Sequence, residues 1–468
     1  MKYIELLKKE ISPALGCTEP AAVALCAAGA AALLDQKVKN VVIQVSSYIL
    51  KNGMNVGIPG FGSIGLDLAG ALGAVCARPE KELLVLDNLS EREREEAEEL
   101  MRQGLISLDC KKEKTAKIYI SVKVYGEDHT AEAVIEDKHT NFTRKIRDDV
   151  VLWEREECQI QETTSVDDIT LDEIWDFVQE VPGEQLSFLQ RVVDMNMEIS
   201  EEGMRNEYGI HVGRAMFQES KLKLIGDNIA NRAAGTTAAA VDARMAGCTK
   251  SVISVAGSGN QGLTATVPVI IAAEAMNSNT DALYRSLALS ILVTIHVKHY
   301  IGRLSVLCGC SIASSIGVCA AMIFLGDGSK EAMRAGVRTM AADLSGMICD
   351  GAKPGCALKI ATSVNAAALA AQLALNGTGA TKRDGIVTDD LEETLRNLGK
   401  LGNEGMSEAN DEILKMLLDL SRMLQYTSQN GDVLVPLWED LDWLKRYIGI
   451  MQKRKDIQEQ QSFQKKSL

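Results

Sequence analysis

Aromatic residues make up only 4% of the chain, histidine occurs five times, and no long run of Lys or Arg appears before the last residues. Few aromatics with abundant Ala and Gly disfavour a β-sandwich and favour helices that approach one another closely. A formal net charge of -14 with no concentrated basic face argues against nucleic acid as a partner. His296 and His299 are spaced to share a helix face, but no Glu stands beside them as a zinc-protease motif requires. Satisfied core or helix-end histidines are therefore expected. The opening MKYIELLKKE is charged and amphipathic and lacks the apolar core of a signal peptide. There is no short-period repeat, P-loop or dinucleotide fingerprint.

Hydrophobic residues amount to 46% of 468, enough to bury a large core, and the length suggests two or three domains. Eleven cysteines without a secretory signal point to a reducing, cytoplasmic compartment. Cys76, Cys110, Cys158 and Cys248 stand alone in ordinary surroundings and read as small buried residues. Residues 304–325 carry no charge and are long enough to span a bilayer. Their two Gly, four Ser and three Cys point instead to a buried central helix, so no membrane partner is expected.

The expected fold is α+β, with a small α/β domain near the N-terminus and a large, mostly α-helical C-terminal domain. Residues 1–35 look helical, and residues 1–37 are expected to pack on the helical domain. Residues 38–157 form the small α+β domain, with β-branched alternation at 41–47 and 116–124. It also holds a hairpin into 131–136 and a charged helix at 91–103 capped by Ser90. A polar linker covers 158–168. Helical spacing runs through 170–450, and the Gln/Lys-rich tail at 453–468 is expected to fray. The Ala-rich helices suggest a homodimer.

Three segments gather cysteine and glycine at helix boundaries. In Gly16-Cys17-Thr18-Glu19-Pro20, Pro20 suits a helix start. Helix N–H groups and the macrodipole should then lower the pKa of Cys17, leaving it open as base, nucleophile or metal ligand. In Cys308-Gly309-Cys310 two sulfurs within a helix would lie about 200° apart. Both can serve one metal only if the helix is broken at Gly309. Cys349-Asp350-Gly351-Ala352-Lys353-Pro354-Gly355-Cys356 is spaced too widely for a zinc knuckle and does not match ferredoxin runs, but such a loop can wrap a compact cofactor. A fourth segment, Gly257-Ser258-Gly259-Asn260-Gln261-Gly262, follows a β-like run at 250–255. It offers a nest of donors for a carboxylate or phosphate. Residues 52–60 form a similar polar loop after a strand.

Taken in order, GCTEPAA, AGSGNQG, LCGCSIASSIG and ICDGAKPGCALK resemble the L-cysteine desulfidase family. That family is related to the iron–sulfur L-serine dehydratases through their α domain. The resemblance covers roughly residues 5–424. It implies a [4Fe-4S] cluster held by three cysteines, with one iron open to substrate, in the 170–450 domain. By motif the ligands are Cys349, Cys356 and one cysteine of the CGC segment. Cys310 is taken because the dehydratase pattern has its ligand in a Gly-Cys pair ahead of a Gly- and Ala-rich helix, with Cys308 the alternative. Cys17 matches the desulfidases' proton acceptor. The dehydratases' β domain is only loosely matched by residues 38–146, which weakens the case for serine.

These implications make chemical sense together. An open iron is a Lewis acid for the leaving group on the β-carbon, and a thiolate can take the α proton. The donors at Gly257, Ser258, Gly259, Asn260 and Gln261, aided by Lys353 or Lys359, would hold the carboxylate of a small amino acid. Loss of sulfide from L-cysteine would leave aminoacrylate, which hydrolyses to pyruvate and ammonia without pyridoxal phosphate. The alternatives are elimination from another β-substituted amino acid such as serine, or a non-catalytic iron–sulfur sensor. A sensor would need neither Cys17 nor the donor nest.

Overall fold

The structure, a computed structural model, describes residues 2–61, 63–111, 116–155, 169–218 and 224–429. The expected linker at 158–168 with Cys158, the end of the helical region and the tail at 453–468 lie outside the described residues. Residues 1–411 form one compact unit and residues 412–468 a second. The architecture is mixed α+β, with strands concentrated in the N-terminal part and a large helical part after it.

The N-terminal stretch is two helices rather than one. Helix α1 (Lys2–Glu10) runs into strand β1 (Ile11–Ala14), and α2 (Thr18–Leu34) follows. Pro13 has no N–H to continue a helix, and Gly16 turns the chain with φ +66. A side chain at Gly16 would press on Pro59, 2.5 Å from its Cγ. Next come β2 (Asn40–Val45), α3 (Ser47–Gly53), α4 (Leu66–Cys76) and α5 (Glu91–Arg102). After them run β3 (Ile106–Cys110), β4 (Tyr119–Tyr125), β5 (Thr130–Glu136), β6 (Phe142–Arg147) and β7 (Val150–Glu154). The six-stranded sheet has the order β3-β2-β4-β5-β6-β7, with only β2 and β3 parallel. Alternation in β2 buries Val41, Ile43 and Val45 on one face. The expected hairpin is β4–β5, closing at Tyr125 and Thr130. Ser90 caps α5 in a capping box with Glu93. Residues 52–60 begin in the last turn of helix α3 and run on from it, not from a strand, because Ser46 ends the β run and caps that helix through Ile49 N–H.

Small residues decide how closely α2 packs. A Cβ on Gly73 of α4 would lie 2.1 Å from the Ala24 carbonyl oxygen, and one on Gly29 would lie 2.5 Å from the Phe142 ring. The Ala- and Gly-rich surface of α2 thus meets α4 and the sheet at backbone distance.

The helical part comprises α6 (Leu171–Glu180), α7 (Gln190–Arg205), α8 (Val212–Phe217) and α9 (Ile229–Met245), then strand β8 (Val252–Val255). Beyond it lie α10 (Gly259–Ala275), α11 (Thr280–Ile301), α12 (Gly309–Leu325), α13 (Lys330–Leu344), α14 (Cys356–Leu375) and α15 (Leu391–Lys400). The second unit is described through α16 (Ala409–Gln429). Helices α11 and α12 are central, buried continuously over residues 286–298 and 311–321. The uncharged 304–325 segment is helical only from Gly309. Its first residues are extended, and Leu307 bridges Ile348. Among the described residues α14 is the one helix long and apolar enough to cross a membrane, and 44% of it is buried.

One pairing joins the N-terminal stretch to the middle of the sequence. Strand β1 pairs antiparallel with β8, Ile11 opposite Val255 and Ala14 opposite Val252. Ala256 N–H donates to the Glu10 carbonyl at 2.9 Å. This ladder sets the Gly16–Cys17 turn beside the turn that starts α10.

Candidate active site

Each of the four motif segments is a helix start. Cys17 is the N-cap of α2, Ser258 of α10, Cys308 of α12 and Gly355 of α14. The four N-termini contribute residues to one cavity of about 80 Å³, whose wall includes Cys17, Ser258, Cys308, Cys310, Cys349 and Cys356. Four positive dipole ends favour an anionic occupant. Two larger clefts, of about 640 and 840 Å³, contain no cysteine.

The Cys308-Gly309-Cys310 geometry departs from that of two cysteines within a helix. Cys308 lies outside α12 and Cys310 in its first turn, so both thiols reach the same cavity. Cys308 N–H donates to the Met347 carbonyl at 2.9 Å, and Cys349 N–H to the Val306 carbonyl at 2.6 Å. This short bridge fixes Cys349 beside the CGC segment. Cys356 opens α14, its N–H donating to the Lys353 carbonyl at 2.9 Å. A hydrogen bond from Cys310, then one from Ser311, pulls the Cys308 pKa down, and Cys310 as the proton holder is pushed up. Burial raises Cys349 and lifts Cys356 to about 12.

These residues fit an iron–sulfur cluster in donor chemistry. Buried thiols exchange their protons for metal, and the surrounding charge suits an anionic thiolate cluster. Lys51 and Lys298 are both buried. The Lys51 ammonium donates to the Cys349 carbonyl at 3.0 Å, and Lys298 to the Arg303 carbonyl at 2.9 Å. Burial lowers the pKa of Lys298 to about 8. Among the described residues no three His, Cys, Asp or Glu side chains are grouped as a single metal ion requires. The thiols instead line a cavity, as suits a cluster with irons at separate corners.

Cys17 does not have the lowered pKa expected of a helix start. Burial, and next the charge of Glu19, raise it well above the ordinary thiol range. Its thiol donates to Glu19 Oε2 at 3.0 Å. Asn52 Nδ2 donates to Glu19 Oε1 at 3.1 Å, and His139 Nε2 lies 4.0 Å from the same oxygen. Burial alone would raise Glu19, but His139 and the bonds from Cys17 and Asn52 hold it below the ordinary carboxylate range. Burial lowers His139 in turn, so near neutrality the hydrogen bonds carry the Glu19 anion. His139 Nε2 is buried without a hydrogen-bond partner.

The donor nest is a tight turn with Ala256 at φ 47 and Gly257 at φ 80, leading into the first turn of α10. Its side chains face inward. Asn260 Oδ1 accepts from Arg244 Nη1 at 2.8 Å, and Gln261 Nε2 donates to the Val255 carbonyl at 3.0 Å. The Ser258 hydroxyl accepts from Gln261 N–H at 3.4 Å, so what remains for an anion is the backbone N–H of Gly259 and Asn260. Arg244 joins it, 2% exposed, with a buried Nε that lacks a partner. Gly259 lies against that guanidinium: a Cβ there would come 2.5 Å from Arg244 Nε. Lys353 is not on the cavity wall. Its ammonium pairs with Asp350 at 2.6 Å and braces the cysteine loop, and Lys359 pairs with the same carboxylate.

Sequence reasoning thus missed Glu19, Asn52, His139, Arg244, Lys298 and Arg303, all on the wall. Glu19 stood inside a recognised motif, two residues after Cys17. Asn52 opens the polar 52–60 segment, and the others are single polar residues in unremarkable segments that only their burial distinguishes.

Comparison with known families matches residues 80–415 to the serine dehydratase alpha chain. A second match, to a histidine kinase family, covers residues 391–458 and runs beyond the described residues. Relatives include a UPF0597 protein of Oleidesulfovibrio alaskensis, 39% identical over 422 residues that cover 89% of this chain and 97% of that one. A UPF0597 protein of Clostridium perfringens is 39% identical over 419 residues, covering 89% and 98%. One of Bacteroides thetaiotaomicron is 38% identical over 420 residues, covering 90% and 97%.

Proposed function

The chain belongs to the serine dehydratase alpha chain family, and from that membership together with the resemblance of its GCTEPAA, LCGCSIASSIG and ICDGAKPGCALK motifs to the desulfidases we propose that it is a cytoplasmic iron–sulfur lyase that eliminates sulfide from L-cysteine. The observation that carries this reading is the single cavity at four helix N-termini, with Cys17 on the same wall as Cys308, Cys310, Cys349 and Cys356.

Cys310, Cys349 and Cys356 would hold a [4Fe-4S] cluster, which when bound supplies a Lewis acid for the departing β-substituent. The first turn of α10, from Gly259, orients the carboxylate through backbone N–H groups, with Arg244 behind it. Cys17 takes the α proton. To do so it first loses its own, and Glu19 at 3.0 Å relays that proton out of the site. Asn52 holds Glu19 in place for that transfer. Proton loss from Cα and departure of the β-sulfur as sulfide leave aminoacrylate, and water converts it to pyruvate and ammonia. Burial of the site excludes bulk water during the elimination.

L-serine is the second reading, favoured by the serine dehydratase description of the matching family. The two separate on turnover. Anaerobically purified protein is expected to release sulfide and pyruvate from L-cysteine faster than pyruvate from L-serine, and the reverse order moves the assignment to serine. Cys349→Ser and Cys356→Ser should each lose visible cluster absorbance together with activity. Cys17→Ala should lose activity and keep the cluster. Loss of the cluster in Cys17→Ala would make Cys17 a ligand instead of the base.

A further inference from the structure

We propose that a second cavity, of about 280 Å³, is the vestibule through which substrate reaches the site, and that its Glu10–Arg303 ion pair is the recognition element for a zwitterionic α-amino acid. This rests on reading the site as one for a small amino acid.

The two cavities share three wall residues, His139, Gly257 and Arg303. They are therefore adjacent spaces divided by two side chains and a glycine. The vestibule wall carries Lys9, Lys81, Lys138 and Arg303 beside Glu10 and Glu82.

Arg303 stands at the division. Its Nη2 donates to both Glu10 oxygens, at 2.9 and 3.0 Å. Its Nη1 lies over Gly257, where an added Cβ would come within 3.3 Å of it. One end of the guanidinium thus faces the donor turn while the other is held by Glu10. Glu10 is itself fixed by the β1–β8 ladder, through its carbonyl and Ala256 N–H at 2.9 Å. An ion pair is complementary to a zwitterion. When an amino acid enters, its carboxylate takes the place of Glu10 on Arg303, and the freed Glu10 carboxylate meets the α-ammonium. The exchange swaps one charge-assisted pair for two. A molecule with only one of the two charges leaves Glu10 or Arg303 unmatched and is rejected.

The test is equilibrium binding to the anaerobic holoprotein by calorimetry, with L-alanine as probe because it carries the zwitterion and no leaving group. Propionate and ethylamine serve as the half-charged controls. Wild type should bind L-alanine in preference to both controls. Arg303→Gln should weaken L-alanine binding about tenfold or more and abolish that preference, and Arg303→Lys should restore part of it. With L-cysteine turnover, Arg303→Gln should raise KM more than it lowers kcat. Unchanged L-alanine affinity in a folded Arg303→Gln protein overturns the proposal, as does equal binding of the controls to wild type. If Arg303-dependent L-alanine binding appears without elimination from any amino acid, the lyase reading falls and the vestibule stands. If L-cysteine is turned over with KM unmoved by Arg303→Gln, the vestibule alone falls.

Discussion

Cys17 and Glu19 sit two residues apart and share one proton, so each sets the other's chemistry. The Cys17 pKa is raised by burial and then by the Glu19 charge, and the thiolate therefore grows only as pH rises. kcat/KM is expected to climb through the ordinary thiol value of about 8.5 without levelling off below it. Replacing Glu19 by Gln removes a charge that raises Cys17, so the limb should move to lower pH. It also removes the proton acceptor, so the maximal rate should fall about 100-fold, a typical general-base contribution. A pH–rate profile of Glu19→Gln with the limb unmoved would detach Glu19 from Cys17. At this level the sequence was half legible. Cys17, Cys349 and Cys356 announce themselves through Gly and Pro neighbours that mark helix starts. Arg244 and Lys298 do not, because a cation inside a helix reads as a solvated surface charge until its burial is known.

Long helices such as α11 and α14 were legible because their apolar spacing persists over many turns. Two junctions were not. The start of α12 depends on the bridge between Leu307 and Ile348, and the split between α1 and α2 depends on a ladder whose partners lie 242 residues apart. Neither partner leaves a local trace. A third long-range tie joins α15 to α6 and α11. Glu392 accepts from His296 Nε2 at 2.7 Å, Tyr300 at 2.9 Å and Leu171 N–H at 2.9 Å. His296 is thus a core histidine bonded through Nε2, but its buried Nδ1 has no hydrogen-bond partner, so it is not the fully satisfied histidine expected. Burial pushes Glu392 up, but these bonds win and lower its pKa. A carboxylate lowered by folding contributes stability above its unfolded value of about 4.3, and loses it as pH falls through the folded value. Glu392→Gln should cost about 1–3 kcal/mol at neutral pH and should flatten the fall in stability below about pH 4. Urea melts at pH 7 and at about pH 3 read both effects. An equal loss at the two pH values would mean that the carboxylate charge is not what ties the helices.

The cavity is assembled from distant parts of the sequence. Cys17, Glu19, Asn52 and His139 come from the N-terminal part, and the remaining cysteines, Arg244 and Lys298 from the helical part. Its wall therefore gathers four helix N-termini and the buried cations Arg244 and Lys298 around a small space, with Glu19 the buried anion among them. An anionic cluster would complement the helix ends and cations while cross-linking α12 to the Cys349–Cys356 loop. A ligand that binds only the folded state stabilises it by mass action, so cluster removal should lower Tm by about 5 °C or more. The loss should be graded by ligand. Cys349→Ser and Cys356→Ser should melt at the same temperature before and after anaerobic reconstitution, because neither can complete the site. Between Cys308→Ser and Cys310→Ser, the variant whose Tm no longer responds to iron and sulfide identifies the third ligand, and Cys310 is the one expected to fail. If wild type itself melts at one temperature regardless of iron and sulfide, the converging helix ends serve some other anion and the cluster assignment is wrong.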